Sequence, residues 1–120
     1  MPIFLIAWLM AAALVAASPV DAGFLTGNGV MAWVNADDRT ESGSASSRDY
    51  NQSYMLFGYV AGVYDAWQGF DAFCPPAGIA LGKAVGIFKN YLKDNPAKWN
   101  LPASELVIRS TAAVYPCPSP

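Results

Sequence analysis

The chain has 120 residues, 54% of them hydrophobic, with a formal charge of −2 and no histidine. That length holds one domain, and the missing histidine removes the commonest general base and the commonest metal ligand. The seven Lys and Arg are scattered, leaving no basic footprint for nucleic acid. Cys74 and Cys117 are too far apart for a C-x-x-C redox or zinc pattern, and neither a cofactor nor a metal is expected.

In chain order, residues 3–17, IFLIAWLMAAALVAA, form an unbroken apolar run. A spanning helix needs about 20 such residues, so the run reads as an export signal, residues 1–22. Val20, Asp21 and Ala22 supply the small residues of a cleavage site. Cleavage is expected after Ala22, or else after Ala17. No Lys or Arg precedes the run, which keeps an uncleaved membrane anchor open as the alternative. Residues 23–120 are then a single exported domain.

Thr26 or Asn28 can cap a first helix running to about Asn35. Residues 35–49, NADDRTESGSASSRD, contain no large apolar side chain and predict a solvated, mobile loop. Ser47 or Asp49 opens a central helix ending near Gly69. At 100° per residue, Gly58, Gly62 and Ala66 share one narrow stripe of that helix. Glycines inside a helix cost roughly 1 kcal/mol each relative to alanine, so the stripe predicts a seam where a second helix comes close. On that reading Gly62→Leu would lower the melting temperature by many degrees. Gly58, Tyr59, Gly62, Asp65 and Ala66 form this expected packing motif, with Asp65 expected to hydrogen-bond an adjacent backbone.

Phe70 and Phe73 flank Asp71, and Cys74, Pro75 and Pro76 force an extended turn. Beyond it Leu81, Ala84, Val85, Ile87, Phe88, Tyr91 and Leu92 share one helical arc, with Lys83, Lys89, Asn90 and Lys93 on a solvated face. Asn95 and Pro96 stop this helix. A last helix starts near Pro102, with Ala103, Leu106, Val107, Ser110, Ala113 and Val114 inward and Glu105 and Arg109 paired outside. Ile108 lies on the outer side and is a candidate protein contact. Trp99 can either insert into a partner groove or cover the end of the bundle.

The pattern predicts an all-α fold, a small bundle of about four helices. An exported chain with two cysteines favours a disulfide, two buried free thiols being the alternative. A Cys74–Cys117 bridge would close a loop of roughly 44 residues and contribute about 4 kcal/mol on a chain-entropy basis. Asp65, Asp71 and Glu105 lie on different elements with nothing to pair them, so no catalytic constellation is present and no enzyme is expected.

GNGVMAWV, FGYVAGVYDA, FCPPAGIALGKAVGIFKNYLKDNP and ASELVIRSTAAVYPCP, in this order, resemble the amidase (Tai-type) immunity proteins of bacterial type VI secretion. The most specific pieces are Gly58-Tyr59 with Gly62 and Asp65-Ala66, Phe73-Cys74 with Pro76, Tyr91-Leu92 with Pro96, and Tyr115-Pro116-Cys117. The resemblance implies an all-α periplasmic protein, often a homodimer, that blocks the active site of a cell-wall amidase effector. The family usually carries two further cysteines where this chain has Val34 and Leu56. The resemblance then implies Cys74 and Cys117 as the retained pair. A structural or housekeeping envelope protein with no toxin partner is the alternative, because a fold does not fix a function.

Overall fold

Apolar side chains recurring every three or four residues give each helical segment of this chain one face to bury. The computed structural model describes residues 23–119, and the expected leader with both cleavage sites lies outside them. Four helices form among the described residues: α1 (Gly27–Glu41), α2 (Ser47–Trp67), α3 (Leu81–Asp94) and α4 (Ala103–Val114). A short 3₁₀ turn, Pro96–Lys98, links the last two. All four contribute to one core: Val30 and Val34 from α1, Leu56, Val60 and Val63 from α2, Phe88 and Leu92 from α3, and Leu106 and Val107 from α4. No described helix is long and apolar enough to cross a membrane.

The first helix is longer than its sequence suggests. It continues through Glu41, so only residues 42–46 remain of the loop expected over residues 35–49. The reason is tertiary. Asp37 is buried and its carboxylate accepts from Lys89 Nζ at 2.6 Å and from Ser53 Oγ at 2.6 Å. A polar run reads as loop until its partners, 16 and 52 residues away, are known. Gly43, at φ +76°, then ends the helix in a conformation glycine adopts freely.

A capping box starts α2: Ser46 Oγ accepts from Asp49 N–H, and the Asp49 carboxylate accepts from Ser46 N–H. That carboxylate also takes two bonds from the Arg39 guanidinium, at 3.0 and 2.7 Å. Arg39 holds Asp49 well below the usual carboxylate range. The end of α1 is thereby tied to the start of α2.

The lead-in to α1 and the link between α3 and α4 cap each other. Gly27 N–H donates to Leu101 O at 3.0 Å and Asn28 N–H to Trp99 O at 2.8 Å, while Ala103 N–H donates to Leu25 O at 2.9 Å. These bonds satisfy first-turn donors of both α1 and α4 that helices leave unpaired. Gly27 is required by the closeness of the approach. A Cβ there would lie 2.7 Å from Trp99 Cα and 2.8 Å from Leu106 Cδ1. Gly27→Ala is therefore expected to destabilise the protein by about 1–3 kcal/mol, visible as a thermal midpoint several degrees lower.

A disulfide joins Cys74 to Cys117, and Cys74 N–H donates to Tyr115 O at 2.9 Å. The non-helical tail is thus fastened to the turn after α2, as the cysteine count and exported reading lead one to expect.

Candidate functional site

The residues singled out from sequence separate into braces and surface. Trp99 is half-buried against the core, and its indole N–H donates to Leu92 O at 2.7 Å. With its own carbonyl accepting from Asn28, it covers the end of the bundle. Ile108 is also half-buried against the core, which corrects its expected place on the outer side. Thr111, absent from the expected inward set of α4, is buried and its hydroxyl meets that of Tyr64 at 2.7 Å. Ala113 and Val114, expected inward, are exposed.

The glycine seam requires a correction. Gly58, Gly62, Asp65 and Ala66 are exposed, and a Cβ at Gly58 or Gly62 would meet open space. No helix among the described residues packs against the stripe. The buried stripe of α2 is Leu56, Val60 and Val63, about 200° around the helix from Gly58 at 100° per residue. Spacing alone cannot say whether a neighbour occupies a groove of small residues. Tyr59 does pack, edge-on to Trp33 with ring centroids 6.2 Å apart. In place of the loss expected for Gly62→Leu, Gly62→Ala should raise stability by about 0.5–1 kcal/mol, by removing glycine's backbone entropy from an open helix position. A chemical denaturation midpoint checks it.

Lys89 is the second correction. Assigned to a solvated face by its spacing, it is 5% exposed and reaches Asp37 Oδ2 at 2.6 Å, Asp38 Oδ1 at 2.7 Å and Glu41 Oε2 at 3.4 Å. Burial pulls its ammonium down, but hydrogen bonds to Asp37 and Asp38 outweigh that and leave it pushed up to about 12. Burial pushes Asp37 and Asp38 up, and the bonds from Lys89 overcome it, so both stay below the usual carboxylate value. The Lys89–Asp37 pair at the centre of this network is buried, while Asp38 and Glu41 reach solvent. The network ties α1 to α3.

Concavities open to solvent among the described residues include these two. One, of about 420 Å³, runs between α1 and α2 beside Glu41, Tyr50, Tyr54 and Phe57. The larger, of about 530 Å³, lies where α2 ends, the Cys74-Pro75-Pro76 turn passes and α3 begins. Tyr64, Trp67 and Phe73 line it, Asp65 stands at its wall, and Ile79 and Leu81 complete the apolar side. Gly69, at φ +85°, turns the chain so that Phe70 meets Trp67 at 5.5 Å and Phe73 meets Tyr64 at 5.1 Å between ring centroids. Trp67, Phe70 and Leu81 remain exposed. Sequence reasoning marked Phe70 and Phe73 only as flanking Asp71, because the turn that gathers them is not periodic. Among the described residues, no three His, Cys, Asp or Glu side chains gather to hold a metal.

An all-helical domain, closed by one disulfide and presenting an aromatic cleft beside an acidic side chain, defines a small helical binding module. A family model for Rap1a immunity proteins matches residues 26–117, nearly the whole described chain. The chain belongs to the Rap1a immunity proteins, and membership makes it an immunity protein that binds a partner effector protein. No curated protein and no solved structure matches it.

Proposed function

We propose that this chain protects the cell that makes it from a peptidoglycan amidase delivered by type VI secretion, acting in the periplasm by filling the amidase's substrate cleft. The observation that carries the reading is the family match over residues 26–117. The resemblance of the Gly58-Tyr59, Phe73-Cys74 and Tyr115-Pro116-Cys117 motifs supports the amidase as target. The Cys74–Cys117 bridge suits an oxidising compartment, and the apolar run over residues 3–17 suits export to it. The protein works by shape and carries out no reaction. A homodimer, implied by the same resemblance, belongs to this reading.

The test is a pull-down from the periplasm of its own host with the full chain expressed from its native leader. Mass spectrometry should identify a small amidase in the eluate, and adding the immunity protein should abolish that amidase's hydrolysis of wall peptide. If no amidase is held, or hydrolysis continues undiminished, the amidase reading fails and the effector belongs to another class.

A further inference from the structure

We infer that the cleft at the end of α2 is the docking pocket for a basic side chain, an arginine in preference to a lysine, presented on an apolar loop of the effector. This rests on the reading of the chain as an effector-binding immunity protein. Independent features of the cleft agree on a cation. Asp65 stands at its wall, exposed, and its carboxylate, expected to bond an adjacent backbone, makes no ion pair or hydrogen bond among the described residues. The same end of α2 carries the negative pole of the helix. Its last turn has no basic residue, whereas α1 has Arg39 and α3 has Lys93 there. Tyr64, Trp67 and Phe73 supply ring faces and edges around the space, and aromatic faces attract cations.

The opposing charge is smaller. The start of α3 also opens here, but a helix terminus carries only about half a unit charge, against a full unit on Asp65 plus the α2 end. Lys83, in the first turn of α3, projects about 200° around the helix from Leu81, which lines the cleft. The cleft is about 530 Å³, room for one long side chain and the apolar residues beside it. Arginine fits better than lysine because its planar guanidinium can stack on a ring while pairing with a carboxylate. Trp67 and Leu81, exposed in the cleft lining, and Phe70, exposed against Trp67, give the flanking loop apolar surface to cover.

The chemistry can be tested without the effector. The disulfide-bonded protein is titrated with N-acetyl-arginine amide while backbone amide resonances are followed. Saturable shifts are expected at Asp65, Trp67 and Phe73. Asp65→Asn should weaken them about tenfold, and Trp67→Ala should weaken them too. N-acetyl-glutamate amide should leave the cleft unmoved. No response to the arginine amide, an equal response in Asp65→Asn, or a preference for the glutamate amide overturns the inference. In the host pull-down, Asp65→Lys with unchanged helix content should hold at least about tenfold less effector than the parent protein. Undiminished capture by that variant overturns the docking site while leaving the proposed function intact. Failure of the parent protein to capture any amidase sinks the proposed function instead, and the arginine titration then decides the cleft on its own.

Discussion

Replacing Lys89 by methionine is expected to cost about 3–5 kcal/mol, because it strips the counter-charge from a buried carboxylate. Asp37 is 4% exposed and would keep only the Ser53 and Thr40 hydroxyls. The double variant Lys89→Met with Asp37→Leu should recover much of that loss, since a buried ion pair is often no better than well-packed apolar groups of similar size. Urea denaturation of the two single variants and the double one measures the coupling directly. The pH dependence follows with its sign. Lys89 is raised in the folded state to about 12, so its contribution is complete below about 10.5, its ordinary value, and is lost as pH climbs through 12. Asp37 and Asp38 are lowered from 3.8, so their contribution holds above that value and fades as pH falls below it. Stability should therefore form a plateau between these limits, and a plateau that already declines near neutrality would contradict the network.

Breaking the Cys74–Cys117 bridge should have a comparable effect. The cysteines are 43 residues apart, and closing a loop of that length limits the unfolded chain by about 4 kcal/mol on entropic grounds. Cys74→Ser with Cys117→Ser, compared with the parent protein by thermal melting, should show a fall in midpoint of the order of ten degrees or more. The local consequence is separable from the global one. The bridge anchors the Cys74-Pro75-Pro76 wall of the cleft, so the double serine variant should lose arginine binding at temperatures where its helices remain folded.

How far the sequence carried the structure differs by segment. The apolar spacing of α3 and α4 marked most of their buried positions, and Ser46 with Asp49 starts α2 beside the expected Ser47. The end of α1 was hidden because Asp37, Asp38 and Arg39 look like solvent-facing residues until Lys89 and Asp49 are placed opposite them. Lys89 was hidden for the converse reason. The glycine stripe misled because small residues reveal an available approach but not an occupant. The disulfide was legible from having two cysteines in a chain that reads as exported. The aromatic cleft was not, since it depends on how a turn through Gly69 folds Phe70 and Phe73 back toward α2.

The mutual capping around Gly27 also couples three helices at one place. Leu25 and Thr26 are held against Leu101, Pro102 and Ala103, beside the finish of α3, whereas the cleft opens at that helix's beginning. The 14 residues of α3 make that helix about 20 Å long. Loosening the contact at Gly27 would release the first turn of α1, the link after α3 and the first turn of α4 together, so their amides should exchange with solvent as one unit.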